Sequence, residues 1–488
     1  MLFNSLTYLL FLGVVVVIYW QLPNQGRLWL IFFASCLFYG FWRVEFVPLL
    51  LFSAFMDYFL ARWIDRTQDE RRRFQLLVIS VCANLAILIL FKYLIFFVDT
   101  FGALATLVGY RPSFVDLKII LPLGISFYIF ATISYVIDVY RREFPAEKNV
   151  LVYINFVLFF PHLVAGPILR AQSLIPQLRD RPAFDLSLVG VGLTRIIAGL
   201  LLKVYLADPI ASLVDEGFMR DPASLSGLDS LTLSFLFGFQ IYFDFAGYSH
   251  IAIGSSLLLG VVLPENFNFP YSATSPREFW RRWHISLSTW IRDYVYLPMA
   301  GSYRRQDNVA IADHASAPQS DIPRDQRTLP LFATWALMGL WHGANWTFVV
   351  WGLYHALAVY LHRQIARIAD RFGWVIPALV GWVATLPVMM AGWIAFRAPT
   401  LHHTLVMWQS IVDPRKLIGL SLLPTAYLTA AATLFAVMFC SVGYARVLPM
   451  LDRDGWKFQA VAFVAHSFAI AAVFVFLRVT AQFIYFQF

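Results

Sequence analysis

Gln75-Leu-Leu-Val-Ile-Ser-Val-Cys-Ala-Asn-Leu-Ala-Ile-Leu-Ile-Leu-Phe-Lys-Tyr-Leu-Ile-Phe-Phe-Val98 contains one charged side chain, Lys92, and neither proline nor glycine. A helix of about 20 apolar residues crosses the ~30 Å hydrocarbon core of a bilayer, so this stretch reads as a membrane span. Comparable runs occupy residues 5–20, 28–42, 46–62, 117–139, 150–168, 188–207, 230–262, 286–300, 329–341, 345–365, 374–396, 424–448 and 458–486. With some of them short or re-entrant, they predict about eleven to thirteen membrane helices. Helix is the default in lipid, where only helices and closed barrels satisfy their backbone, and these runs lack the alternation of barrel strands. The expected fold class is therefore an all-α polytopic membrane protein.

Composition points the same way. Of 488 residues 60% are hydrophobic and 14% charged, against about 25% charged in soluble domains. The net charge of +8, from 37 Lys+Arg and 29 Asp+Glu, sits in short loops between apolar runs, where basic residues orient helices. Nucleic acid is rejected as a partner on that ground, and the bilayer takes its place. Cys36, Cys82 and Cys440 lie in apolar runs without disulfide or metal spacing and are read as packing residues. No histidine pair has carboxylates at ligand spacing, so no metal site is expected. The N-terminal run lacks a cationic start and a small-residue cleavage site, and reads as a first span rather than a signal peptide.

Arg62, Arg66, Arg71, Arg72 and Arg73 form one basic loop, and Arg141, Arg142 and Lys148 another; both are predicted cytoplasmic, which puts the N-terminus outside. Phe159-Phe160-Pro161-His162 is expected to dip into the membrane and return. Residues 302–328 read as a polar aqueous loop. With no repeat or soluble domain apparent, one membrane-embedded domain is expected over 1–488, its C-terminal spans lying in 370–488.

Residues 275–296, Ser-Pro-Arg-Glu-Phe-Trp-Arg-Arg-Trp-His-Ile-Ser-Leu-Ser-Thr-Trp-Ile-Arg-Asp-Tyr-Val-Tyr, do not look like a span. Ser275, Pro276 and Glu278 have the spacing of a helix start with a capping box. Continued as one helix, Phe279, Trp280, Trp283, Leu287 and Trp290 share a face, and Arg277, Arg281, His284, Ser288 and Arg292 share another. A helix so charged belongs at the interface or along a water-filled cavity. Anchoring to headgroups is the plainer reading, but it has no need of an imidazole in the polar stripe.

Leu337 to Leu357 is an apolar background interrupted by His342, Asn345 and His355. A histidine at membrane depth is a functional candidate, the alternative being a packing histidine bonded to a neighbouring helix. Gly339 and Gly343 permit close backbone approach, and Asn345 is expected near the face of His342. An imidazole held out of water stays neutral at pH 7, the form a general base needs. His250 is read as a partner of Asp244 or a packing residue, and His314, His362, His402 and His403 as solvated.

Ordered matches through residues 120–355 carry a resemblance. Leu121-Pro-Leu-Gly-Ile-Ser-Phe-Tyr-Ile-Phe, Phe160-Pro-His-Leu-Val-Ala-Gly-Pro-Ile-Leu-Arg170, Tyr242-Phe-Asp-Phe-Ala-Gly-Tyr-Ser249, Glu265-Asn-Phe, Phe279-Trp-Arg-Arg-Trp-His-Ile-Ser-Leu-Ser-Thr-Trp and Gly339-Leu-Trp-His-Gly-Ala-Asn345 together resemble the membrane-bound O-acyltransferase family, in its bacterial polysaccharide-acetylating branch. The resemblance implies a central tunnel, with His342 as catalytic histidine and His284 as the second characteristic polar position. Trp341, Asn345, Trp283, Arg281, Ser288 and Asp244 are expected to contact substrate. It further implies a multi-pass protein of the bacterial inner membrane, a cytoplasmic thioester donor such as acetyl-CoA with no tightly bound cofactor, a polysaccharide acceptor and an exported esterase-like partner. The acceptor is left open among alginate, cellulose, another exopolysaccharide and peptidoglycan. A transporter of acyl donor or polysaccharide, and a scaffold for a soluble acetyltransferase, are the competing classes. A cysteine intermediate is disfavoured, since the cysteines lie outside the motifs and apolar burial raises a thiol's pKa. The 302–328 loop is longer than the family's usual link.

Overall fold

The computed structural model describes residues 1–110, 119–164, 166–180, 182–301, 328–446, 464, 466–473 and 475. The expected polar loop, apart from Thr328, His314 within it, and most of the 458–486 span lie outside the described residues. Every regular element among the described residues is helical. Five stretches are long and apolar enough to cross a membrane: Asn24–Arg66, Glu70–Leu107, Leu186–Met219, Ala378–Arg397 and Pro424–Ser441, with Leu6–Gln21 and Ile125–Tyr140 shorter. Phe33, Leu37 and Phe41 are exposed along the first of these while Phe38 and Tyr39 are buried. Apolar surface on that scale is what lipid covers. The expected all-α membrane architecture is present.

The chain groups into two compact units. One comprises Met1, Val15–Phe184 and Thr289–Thr334; the other Leu2–Val14, Asp185–Ser288 and Trp335–Phe488.

In the first unit, the part of α1 (Leu6–Gln21) from Val15 onward leads into α2 (Asn24–Arg43) and α3 (Val47–Arg66). The Gln75–Val98 span forms α4 (Glu70–Leu88), a π turn at Ile89–Tyr93 and α5 (Leu94–Leu107), longer at both ends than its apolar run. Then come α6 (Ile125–Tyr140), α7 (Val150–Leu158) and α8 (Ala171–Asp180). Between α3, α4 and α6 the fully buried Asp57 carboxylate accepts from Ser80 Oγ at 2.6 Å and Asn84 Nδ2 at 2.8 Å, the pairing a buried acid requires. Arg142 pairs with Glu70 at 2.8 Å and Arg73 donates to the Tyr140 carbonyl at 2.6 Å, so the two basic loops assigned to one side do lie together.

The 150–168 run is not one helix. It stops at Leu158, and Phe159, Phe160 and Leu163 continue as buried irregular chain around Pro161, with the Phe160 amide donating to Ser35 Oγ at 3.2 Å. Arg170, at the end of this segment, pairs with Asp293 at 2.5 Å.

In the second unit α9 (Leu186–Leu200), a π turn (Leu201–Ala207) and α10 (Asp208–Met219) pack on α11 (Gly227–Leu258). A Cβ on Gly199 would stand 2.5 Å from the Gly247 carbonyl oxygen, and one on Gly254 2.5 Å from that of Gly192. Four glycines thus set the backbone contact, the small-residue packing usual between membrane helices. Lys203, in the π turn, bridges Asp208 at 2.7 Å and Asp244 at 2.9 Å. The chain continues through α12 (Pro276–Arg282) and α13 (Ile285–Ile291), whose last residues belong to the first unit together with a π turn, α14 (Leu297–Met299) and the start of α15 (Thr328–His342); the rest of α15, α16 (Trp346–Phe372), α17 (Ala378–Arg397), α18 (Leu401–Val412) and α19 (Pro424–Arg446) belong to the second.

Candidate active site

The 275–296 stretch starts as its sequence demands and then breaks. Ser275 Oγ accepts from the Glu278 amide at 3.1 Å with Pro276 at the first helical position. The reciprocal half of the capping box is replaced: the Glu278 carboxylate accepts from the Thr274 amide at 2.8 Å and from Arg282 at 2.6 Å. Helix α12 ends at Arg282, and His284 has φ of 41°, a left-handed conformation that costs a non-glycine residue on the order of 1–3 kcal/mol. The chain beside the break compensates. Asn268 N–H donates to the Arg282 carbonyl and Ile285 N–H to the Asn266 carbonyl, both at 2.9 Å.

The continuous polar stripe therefore does not exist. Arg277, Arg281 and Arg292 are exposed, whereas His284 is turned inward and only 1% accessible. Its Nδ1 lies 3.1 Å from Asn266 Oδ1, and the Phe245 ring meets the imidazole edge-on at 4.6 Å. Asn266 Oδ1 also accepts from Ser286 Oγ at 2.9 Å and the Ser286 amide at 3.3 Å, while Asn266 Nδ2 donates to Ser249 Oγ at 3.2 Å. Among the described residues, His284 Nε2 has no hydrogen-bond partner.

His342 closes α15 and is buried at 4% accessibility. Its ring contacts Trp341 at 4.9 Å, Trp351 at 5.0 Å and Phe396 at 5.2 Å. Gly339 and Gly352 make the α15–α16 hairpin this tight: a Cβ on Gly339 would overlap the Phe348 carbonyl, and one on Gly352 that of Trp335. Asn345 does not share a helical face with His342. It is the exposed N-cap of α16, its Oδ1 accepting from the Thr347 amide at 3.0 Å. The link between the two histidines is Trp341, whose ring lies 6.3 Å from that of His284.

The other expected contact residues scatter. Trp283 is buried in an aromatic core, 4.8 Å from Trp393, and Ser288 Oγ donates to the Trp283 carbonyl at 3.2 Å. Arg281 is exposed, and Asp244 is engaged by Lys203. His250 pairs not with Asp244 but with Arg195, at 3.0 Å. His403, expected in solvent, is buried against Phe218, because α18 turns that face inward. Cys82 and Cys440, read as packing residues, are exposed on apolar helices, and Cys36 alone of the three is partly covered. Sequence reasoning missed Asn266 and Ser286 beside His284, and gave His355 little weight; His355 lies 5.0 Å from both Trp280 and Trp351.

Fold and site together define a polytopic helical membrane protein with two buried histidines joined through a tryptophan. A family model for the membrane-bound O-acyltransferase family matches residues 140–312. A probable alginate O-acetylase of Azotobacter vinelandii is 39% identical over 84% of this chain and 77% of its own length, and one of Pseudomonas putida is 37% identical over 88% and 87%. A peptidoglycan O-acetyltransferase of Helicobacter pylori is 33% identical over 82% and 77%. The chain belongs to the membrane-bound O-acyltransferase family.

Proposed function

We propose that this protein is an O-acetyltransferase of the bacterial inner membrane that moves acetyl groups from a cytoplasmic thioester, acetyl-CoA in the simplest case, toward a secreted polysaccharide. The relatives named for alginate and peptidoglycan acetylation support that acceptor class. The observation that carries the reading is the convergence of His284, Trp341 and His342 in one buried site. In this reading His342 takes the proton of the acceptor hydroxyl as its oxygen attacks the thioester carbonyl carbon. A C–O bond forms, the C–S bond breaks, and the thiolate leaves with the proton held at His342. His284 orients the acceptor or stabilises the oxyanion. Trp341 walls the site between the two imidazoles.

The test is acetyl-CoA consumption and polymer acetylation by purified protein and its His342→Ala variant. Loss of a positioned base costs about 10²–10⁴-fold, so the variant should insert normally and acetylate almost nothing. Normal acetylation by a stably inserted variant would refute the assignment of His342. A transporter or scaffold predicts no donor consumption by the wild-type protein.

A further inference from the structure

The hydrogen bonds around Asn266 determine which nitrogen of His284 carries the hydrogen. The Ser286 backbone amide is only a donor, so the Asn266 side-chain atom facing it at 3.3 Å must be the carbonyl oxygen. That orientation places the Asn266 amide nitrogen toward Ser249 Oγ, where it donates at 3.2 Å. The same carbonyl oxygen stands 3.1 Å from His284 Nδ1. Ser286 Oγ, 3.4 Å from Nδ1, gives its hydrogen to the nearer Asn266 oxygen at 2.9 Å, and an amide oxygen has no hydrogen to give, so Nδ1 donates. A neutral imidazole has one N–H, and its other nitrogen then bears a lone pair. Here that is Nε2, buried and without a hydrogen-bond partner among the described residues. A buried acceptor left unmet is costly unless something arrives to meet it.

We propose that Asn266 is a positioning residue that acts through His284, holding it as the Nδ1–H tautomer so that Nε2 accepts a hydrogen bond from the acceptor substrate. This rests on the acetyl-transfer reading above and chooses between the two roles left to His284 there. With no hydrogen on Nε2, a neutral His284 has nothing to offer an oxyanion on that side. The hydroxyl proton taken by His342 cannot also be shared with Nε2, so the group held at His284 is a second hydroxyl. The acceptor class is therefore a molecule with more than one hydroxyl, as a sugar ring presents. The left-handed backbone at His284 fits the same assignment, since it turns the ring out of the helical stripe and onto Asn266.

The experiment combines ¹⁵N resonances of histidine-labelled full-length protein, assigned by difference against His284→Gln, with kinetics using acetyl-CoA and an alginate oligosaccharide. Nδ1 of His284 should be protonated and Nε2 bare at neutral pH. Asn266→Asp, which keeps an oxygen for Nδ1, should stay within about threefold of wild type, and Asn266→Leu should lose at least about tenfold in kcat/KM for the oligosaccharide. His284→Gln, whose amide oxygen can stand near Nε2, should raise the acceptor KM more than it lowers kcat. A hydrogen on Nε2, or wild-type kinetics in Asn266→Leu, would overturn the proposal. So would a collapse of kcat in His284→Gln to the level of His342→Ala, which would make His284 the proton acceptor. If Asn266→Leu fails to fold, the wild-type resonances and His284→Gln still decide. Wild-type protein inert toward acetyl-CoA but with Nδ1–H intact would sink the acetyl-transfer reading while upholding the tautomer.

Discussion

The ring of His284 lies 6.3 Å from that of Trp341, the residue immediately before His342. One indole therefore joins two histidine stretches that the sequence separates by the whole 302–328 loop. Disturbing either helix pair around that indole should be felt at both imidazoles.

Gly339→Ala is the sharpest disturbance. The added methyl would overlap the Phe348 carbonyl oxygen, which is backbone and cannot rotate away. The variant should lose about 1–3 kcal/mol of stability and most of its acetylation, read by thermal unfolding in detergent beside donor consumption. Wild-type stability together with wild-type activity would show that α15 and α16 pack less closely than described.

Lys203 holds two carboxylates, Asp208 and Asp244, and is 2% exposed. Lys203→Met strands both, and removing one member of a buried pair typically costs about 3–5 kcal/mol. Converting Asp244 to Leu as well should recover part of that loss. A double variant worse than the single would show that Asp244 serves something other than Lys203.

Asp229 ties the start of α11 to the chain ahead of α19. It accepts from Ser421 Oγ at 2.6 Å and from Tyr427 Oη, and completes a capping box with Ser226. Burial opposes its ionisation, but the hydrogen bonds from Ser421, Tyr427 and Ser226 outweigh burial and hold its pKa below the usual carboxylate range. The native state therefore binds fewer protons here than the unfolded chain. The tie should be at full strength above the unfolded value, near 3.9, and weaken as pH falls through the lower folded value. Hydrogen exchange across residues 413–423 should show protection lost only in strong acid, and Asp229→Asn should weaken it at every pH. Protection in Asp229→Asn equal to wild type at neutral pH would contradict the tie.

Arg170 and Asp293 pair at 2.5 Å at the end of the irregular segment after α7. Arg170→Leu leaves the mostly covered Asp293 carboxylate to the half-exposed Arg292, which it meets at 2.7 Å, and should destabilise more than Asp293→Asn, which keeps an acceptor for both guanidiniums. Equal losses in thermal unfolding would mean that the pair contributes little.

Lipid as the solvent and helix as the element were legible in the residues, because hydrophobic composition and local capping signals act over a few positions. Ser275 caps and Gly339 permits close packing as their spacing implied. The glycine pairs of α9 and α11 were equally readable in principle, at a seven-residue repeat, once two helices are known to be partners. Asn266 stands in the Glu265-Asn-Phe motif, but nothing local ties it to a histidine eighteen positions on.

What tertiary structure alone decided is where His284 points. Helical periodicity extends the geometry of one turn into the next, and so placed this residue on a stripe with Arg281 and Ser288. Its actual φ is set by bonds to residues 266–268, which lie outside any helical window. The same holds for Asn345, whose place on the face of His342 vanished once its side chain capped a new helix. Sequence alone determined the solvent and the helices; long-range hydrogen bonds determined which side chains face one another.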